Sequence, residues 1–160
     1  MCDFYYRLEL LPTEEGLSFY KSVPLRTNDN AGFDLVVPTE TVLGSQVTLL
    51  KLGCKARMVK CYPDEMEEDV HFWLASRSSI WKSGVMMANN MGVIDKTYRG
   101  ELMGAVWSYN DCSSVPKGTR LFQILAPDMG WIKEVRIVES LSDTVRGDGG
   151  FGSTGLMTVS

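Results

Sequence analysis

Hydrophobic and polar positions follow one another in short stretches along the chain, and turn residues separate these stretches. β-Branched, aromatic and leucine residues dominate each stretch, which is typical of β-strands. We predict strands at residues 4–10, 33–37, 46–52, 55–60, 70–75, 101–109, 120–126 and 132–138. Glycine, asparagine, aspartate and proline between them mark turns, so the pattern favours an antiparallel β-barrel or sandwich over an α/β fold.

Two segments between the strands carry other signals. We predict one short helix beginning at Ser78 or Ser79, because their hydroxyl groups can cap the free N–H groups of the residues that follow. The acidic stretch 64–69 is predicted to be a solvated surface loop, because a run of charges usually faces water.

The pattern changes after Val138, where residues 139–145 read as a linker to the glycine-rich segment 146–155. Glycines let backbone N–H groups approach phosphate oxygens, Arg146 adds a positive charge, and Phe151 offers a face on which a base could stack. A flexible tail is the alternative, but it would not need these side chains among the glycines. We therefore predict a barrel domain at 1–138 and an arm at 139–160 that closes over a nucleotide.

Composition narrows the class of protein. A chain of 160 residues with 44% hydrophobic and 22% charged residues fits one folded domain. A net charge of −4 argues against a general nucleic-acid binder, and no apolar run reaches the length of a membrane span. The N-terminus resembles neither a signal peptide nor a transit peptide, so we expect an intracellular protein, cytoplasmic or nuclear.

Cysteine and histidine offer little chemistry. The four cysteines form no C-x-x-C pair, which gives no support for a zinc site and favours reduced thiols. The one histidine, His71, lies between Val70 and Phe72 and is interpreted as a strand residue and not as a catalyst.

Five segments in order resemble the motifs of the homotrimeric dUTP pyrophosphatase (dUTPase) family: 31–35, 77–79, 92–101, 118–123 and 146–155. The resemblance implies an all-β fold, a jelly-roll-like antiparallel β-barrel with one short helix and a flexible glycine-rich C-terminal arm. It also implies a homotrimer in which each arm closes a site made by its neighbours. The implied reaction is hydrolysis of dUTP to dUMP and pyrophosphate, which limits uracil in DNA and supplies dUMP for dTMP synthesis. Thr97 departs from the motifs, since many members carry an acidic residue there, and so does the pair Leu121 and Phe122.

The resemblance implies that Asp95 is the general base that deprotonates the water attacking the α-phosphate. An aspartate is ionised at neutral pH, as this role requires. Without the motif, Asp95 could simply serve the turn 95–97.

The implied substrate-binding residues are Arg77, Ser78, Ser79, Asn89, Gly92, Ile94, Tyr98, Gln123, Arg146, Phe151, Gly152, Ser153 and Thr154. Arg77 and Ser78 would grip the α- and β-phosphates, Asn89 would read uracil, and Tyr98 would pack under the deoxyribose and exclude a 2′-hydroxyl. These four residues also have ordinary structural alternatives. Arg77 could form a surface ion pair and Ser78 could cap a helix, whereas Asn89 could belong to a bend and Tyr98 to the core.

The remaining implied contacts concern the terminal phosphates and the metal. Arg146, Ser153 and Thr154 would hold the terminal phosphates when the arm closes, and Gln123 would contact phosphate or its waters. Mg²⁺ would be bound mainly through the triphosphate, since magnesium keeps several waters and takes few protein ligands. Asp34 would act on it through water only, and a structural turn role for Asp34 is the alternative.

Two other functions stay open at this point. A dCTP deaminase shares the implied fold and binds a similar nucleotide, and a regulatory protein could keep the nucleotide site to switch partner binding. Candidates for every catalytic role favour the pyrophosphatase.

Overall fold

The computed structural model describes residues 3–109, 111 and 114–150. Its strands are β1 Tyr5–Pro12, β2 Phe33–Leu35, β3 Thr41–Val42, β4 Thr48–Lys51, β5 Cys54–Cys61, β6 Glu67–Val70, β7 Phe72–Ser76, β8 Val85–Met87, β9 Gly92–Ile94, β10 Met103–Ser108, β11 Ser114–Val115, β12 Phe122–Leu125 and β13 Ile132–Ile137. One α-helix, Leu17–Tyr20, and one 3-10 helix, Ile80–Ser83, complete the described elements. The predicted all-β class is confirmed.

Hydrogen bonds join the described strands into four sheets and not into one closed ring. The orders are β13-β1-β5-β6, β2-β12-β7-β9, β4-β10-β8 and β11-β3. Strands β1 and β13 are parallel, whereas the other strand pairs within the described residues are antiparallel, as predicted.

All eight predicted strands are present, with ends that differ from the prediction by at most two residues. Their alternate side chains fill one core, in which Leu8 of β1 lies opposite Met58 of β5, and both are almost fully buried. Strands β3, β6, β8, β9 and β11 were not predicted. Each spans only two to four residues, which is too short for an alternating pattern to be recognised.

The short helix predicted after Ser79 is present, but the predicted side-chain capping is wrong. The turn after Ser79 is a 3-10 helix, and the Ser79 side chain makes no capping hydrogen bond. The α-helix at Leu17–Tyr20 was not predicted; its buried Tyr20 donates a hydrogen bond from its hydroxyl to the Leu52 carbonyl. Tertiary packing, and not local sequence, therefore stabilises this single turn. Neither helix of the described ranges is long and apolar enough to cross a membrane.

The acidic stretch is only partly a loop, and that prediction needs correction. Residues from Glu67 onward form β6, which pairs with β5. Glu67 accepts hydrogen bonds of 2.7 and 2.8 Å from Arg7, whose side chain is 5% exposed. These bonds raise the pKa of Arg7 and lower that of Glu67. The charge run forms a strand because a buried guanidinium requires carboxylate partners.

Cys54 and Cys61 are free and buried. Burial raises the pKa of the Cys54 thiol to about 12, which keeps it protonated and unreactive. These two cysteines therefore act as core residues.

Candidate active site

A cavity of about 200 Å³ lies beside β9, and we call it the Asp95 pocket. It is lined by Leu74, Asn89, Gly92, Val93, Ile94, Asp95, Tyr98, Leu102, Met103, Arg146 and Gly150. Apolar walls with a carboxylate, an amide and a guanidinium are typical of a pocket that binds and orients a small ligand. The pocket thus contains every predicted site residue of the segment 89–98.

The pairing of β7 with β9 places Asp95 at the rim of this pocket. Leu74 lies opposite Gly92, and Phe72 lies opposite Ile94, so Asp95 directly follows the last paired residue. A Cβ atom at position 92 would lie 3.1 Å from that of Leu74, which makes glycine the residue that lets the two strands approach. The turn after β9 is closed by the N–H of Tyr98, which donates to the Asp95 carbonyl at 2.9 Å.

Tyr98 is both a core aromatic residue and a wall of the Asp95 pocket. Its side chain belongs to the hydrophobic core, and its hydroxyl donates to the Glu101 carbonyl at 2.9 Å. Burial raises the pKa of Tyr98, although the nearby Arg146 acts in the opposite direction. The ring is therefore held rigidly and the hydroxyl stays protonated.

The Asp95 carboxylate, 43% exposed, forms an ion pair with Arg146 across the mouth of the pocket. The Arg146 guanidinium donates to Asp95 Oδ2 and lies 5.5 Å from the centre of the Tyr98 ring. The resemblance implies that Arg146 holds terminal phosphates; in this structure its guanidinium lies beside Asp95 and Tyr98. The Asp95 carboxylate is thus paired with a guanidinium at the entrance of the pocket.

The segment that carries Arg146 is attached to the turn after β9. Gly147 forms a bridge with Tyr98 and accepts a hydrogen bond of 2.6 Å from the N–H of Arg99. The Arg99 guanidinium, in turn, donates to the Ser142 carbonyl at 2.8 Å. Gly147 has φ of 58°, a left-handed conformation that favours glycine. The predicted residues Phe151, Gly152, Ser153 and Thr154 lie outside the described residues.

A second cavity of about 820 Å³, the Asp34 pocket, contains most of the other predicted residues. Its lining includes Asp34, Arg77, Ser78, Arg120 and Gln123. These side chains come from three neighbouring strands and their ends, because Asp34 of β2 lies opposite Gln123 of β12, and β12 also pairs with β7. Ser79 lines neither of the two cavities.

Asp34 lies between two guanidinium groups. Its carboxylate is 3.0 Å from Nε of Arg77 and 3.6 Å from Nη1 of Arg120. One carboxylate therefore orients two cations, and the group keeps a net positive charge of about one. Such a cluster, with Ser78 as a hydroxyl donor, can bind an anion such as phosphate.

Arg26 is a residue of this pocket that the sequence did not indicate. Its guanidinium donates to the carbonyl of Ile132 at 2.9 Å and to that of Gly32 at 3.0 Å. Burial lowers the pKa of Arg26, while the charge of Asp34 opposes this effect. Only its position five residues before the motif 31–35 could have drawn attention to it.

Gln123 is fixed by two neighbours. Its Nε2 donates to the Ser76 carbonyl at 3.1 Å, and its Oε1 occupies the space next to Gly32. A Cβ atom at position 32 would overlap Oε1. The glycine of the first motif therefore makes room for the glutamine of the fourth.

Replacing Gly32 by alanine is expected to displace Gln123 and to lower the free energy of unfolding by about 1–3 kcal/mol, the usual cost of overpacking. Urea unfolding measures the change. Gly44→Ala is the matched control, because the nearest atom to a Cβ at position 44 is 4.0 Å away. Equal unfolding midpoints for the two variants would contradict this account of Gly32.

The two pockets have no lining residue in common among the described residues. Asp95, Asn89 and Tyr98 belong to one, whereas Arg77, Ser78 and Gln123 belong to the other. A single chain therefore provides two half-sites: a carboxylate with an apolar pocket, and an anion-binding cluster.

An all-β fold with these two half-sites, followed by a glycine-rich segment, defines a class of enzyme that acts on a small phosphorylated ligand. The comparisons with known proteins make the class specific. A sequence model of the dUTPase family matches residues 20–155. The chain belongs to the dUTPase family and is a hydrolase of that family.

The chain is similar to a deoxyuridine 5′-triphosphate nucleotidohydrolase of Crocosphaera subtropica, with 34% identity over 84% of this chain and 91% of that protein. It is also similar to the same enzyme of Rhizobium rhizogenes, with 32% identity over 81% of this chain and 82% of that protein. A solved mutant of the dUTPase from phage phi11 of S. aureus, which coordinates a structural Mg(II) ion, has a TM-score of 0.50. Its identity is 19%, covering 74% of this chain and 88% of that one, so it supports the fold.

Proposed function

We propose that the protein hydrolyses dUTP to dUMP and pyrophosphate by attack of a water, activated by Asp95, on the α-phosphate. The observation that carries the proposal is the Asp95 carboxylate at the rim of an apolar pocket, directly across from a guanidinium. In the cell, the proposed removal of dUTP would limit uracil in DNA, and the dUMP formed would supply dTMP synthesis.

Asp95 has the properties that a general base needs. Its carboxylate is 43% exposed, so water can reach it, and its backbone is held by the turn that ends at Tyr98. The ion pair with Arg146 occupies Oδ2 of the carboxylate. A substrate phosphate would draw Arg146 away and free that oxygen for the attacking water, because a phosphate offers a guanidinium more acceptors than one carboxylate.

The Asp95 pocket suits the nucleoside end of the substrate. Its volume of about 200 Å³ leaves room for a base and sugar but not for a triphosphate as well. Asn89 would pair with the uracil edge, and the buried Tyr98 ring would pack against the deoxyribose. A rigid ring leaves no space for a 2′-hydroxyl, and unpaired buried polar groups can reject a wrong ligand by about 10⁴-fold.

The Asp34 pocket suits the phosphate chain. Arg77 and Ser78 would bind the α- and β-phosphates, and Gln123 would contact phosphate or bound water. Mg²⁺, when bound, would neutralise charge on the triphosphate. No group of three or more acidic, histidine or cysteine side chains within the described ranges could hold a metal ion by itself. Asp34 already faces two guanidiniums, which fits contact through water and not direct ligation.

A homotrimer would join the two half-sites. Because the Asp95 pocket and the Asp34 pocket are separate within one chain, we propose that the nucleoside pocket of one subunit meets the phosphate cluster of a second. The arm of residues 139–160 would close the site. Closed rings of identical subunits use such heterologous contacts.

An exposed apolar strip supports this assembly. It consists of Leu49, Met86 and Trp107 on one face of the sheet β4-β10-β8, together with Tyr109 just beyond the end of β10, whose ring centre lies 6.4 Å from that of Trp107. These four residues are 43–46% exposed. Trp107 pairs with Met86, and Ala105, two residues earlier on the same face, pairs with Leu49. A contiguous apolar face with two aromatic rings marks a protein interface.

Replacing Trp107 by glutamate is expected to convert the trimer into monomers and to abolish dUTP hydrolysis in parallel. A buried tryptophan typically contributes about 2 kcal/mol or more to an interface, and a buried unpaired charge adds a further cost. Light scattering after gel filtration measures the mass. Val42→Glu is the matched control, because Val42 is 77% exposed outside the strip. A monomeric wild-type protein would contradict the proposed trimer. A Trp107→Glu variant that remains a trimer would contradict the proposal that the apolar strip forms the interface.

The proposed function is tested by incubating the purified protein with Mg²⁺ and, separately, dUTP, dCTP, dTTP and UTP, followed by identification of the products. We expect dUMP and pyrophosphate from dUTP and little turnover of the other three. Release of ammonia from dCTP would instead identify a deaminase, and no turnover of any nucleotide would reject the proposal.

A further inference from the structure

His71, the one histidine of the sequence, lies beside the carboxylate that we assign as the base. It occupies the single position between β6 and β7. Because Phe72 pairs with Ile94, continuing the antiparallel register places His71 opposite Asp95. The sequence suggests that His71 is an ordinary strand residue, whereas the structure places it next to the turn that begins at Asp95.

Nδ1 of His71 makes two contacts with that turn. It accepts a hydrogen bond of 3.1 Å from the N–H of Lys96, and it lies 3.5 Å from Oδ1 of Asp95. The imidazole therefore holds the peptide group that joins Asp95 to Lys96, and it flanks the carboxylate on the side opposite Arg146.

The two contacts require different protonation states of one nitrogen. An unprotonated Nδ1 accepts from Lys96, whereas a protonated Nδ1 would donate to the Asp95 carboxylate and lose the Lys96 bond. The tautomer that carries its proton on Nε2 therefore fixes the backbone of the turn and leaves Oδ1 of Asp95 free for water.

We propose that His71 is a positioning residue for Asp95, an inference that rests on the proposed function. By holding the Lys96 N–H, it keeps the backbone of the turn, and with it the Asp95 carboxylate, at the rim of the pocket. His71 itself lines neither the Asp95 pocket nor the Asp34 pocket, and its contact with the former is through Asp95, so we expect it to act on the chemical step and not on substrate binding.

The experiment compares wild type, His71→Ala and His71→Asn at pH 8, where ordinary histidines are neutral. In His71→Asn, the side-chain Oδ1 atom can take the position of Nδ1 and accept the hydrogen bond from the N–H of Lys96. Alanine has no acceptor for this bond. We expect kcat for dUTP to fall about 10-fold in His71→Ala with KM unchanged, because displacement of a catalytic group costs rate and not affinity. We expect His71→Asn to restore kcat.

Amide hydrogen exchange of Lys96, followed by NMR without substrate, provides the second readout. Exchange is expected to accelerate in His71→Ala and to return to the wild-type rate in His71→Asn. If the wild type hydrolyses dUTP and His71→Ala has the same kcat, or shows only a raised KM, the positioning role is overturned. If the wild type does not hydrolyse dUTP, the proposed function fails and the role of His71 in it fails too, even where Lys96 exchange responds.

Discussion

Asp95→Asn is expected to lower kcat for dUTP by about 10²–10⁴-fold, the range for loss of a general base, while dUTP binding is retained. Asparagine has nearly the same shape as aspartate but cannot accept the proton of the attacking water. The walls of the Asp95 pocket, including Asn89 and the buried Tyr98, do not depend on the charge of residue 95. Single-turnover rates measure the chemical step, and calorimetry measures dUTP binding.

Asp64→Asn is the matched control, because Asp64 is an exposed carboxylate that lines neither the Asp95 pocket nor the Asp34 pocket. Its rates are expected to equal those of the wild type. Wild-type turnover by Asp95→Asn would show that Asp95 is a turn residue only. A loss of binding without a loss of kcat would show that the carboxylate serves the substrate and not the water.

Truncation after Val145, which removes residues 146–160, is expected to abolish most hydrolysis, by roughly 10²-fold or more, and to leave the oligomer intact. The truncation removes Arg146, the cation next to the base, and the glycine-rich residues that we predict to cover the nucleotide. It leaves the apolar strip unchanged, since that strip belongs to the sheet β4-β10-β8. Steady-state assays and gel filtration with light scattering test both statements.

Truncation after Gly155 serves as the control for chain length. It removes five residues but retains the motif 146–155, so activity close to that of the wild type is expected. Unchanged activity after removal of residues 146–160 would contradict a role for the arm. Dissociation of that shorter chain would show instead that the segment stabilises the assembly.

The strands were predictable because each of the eight combines several β-formers with clear turn signals at its ends. The five missed strands are short, and β6 is also strongly acidic. Its sequence resembles a solvated loop because the partners that neutralise it, such as Arg7, are distant in the chain: Glu67 is 60 positions from Arg7. No local pattern could indicate that pairing.

The residue types of the site were also predictable, since phosphate recognition and proton transfer require arginines, hydroxyls and a carboxylate. Which of these residues share a pocket could not be predicted from the sequence. The structure separates Asp95 from Arg77 and Ser78 into two pockets, and it adds Arg26 and His71. The roles of the individual residues stay predictions until the variants are measured.

The sequence by itself determined the β-rich class, the positions of the principal strands, and the chemistry available in the five motif segments. Only the tertiary structure decided that Asp95 meets Arg146, 51 positions away, and that His71 meets Lys96, 25 positions away. The physical reason is that local propensity and alternation describe how a residue relates to its close neighbours. Contacts between distant residues depend on strand register and on the packing of whole sheets, which a one-dimensional pattern does not contain.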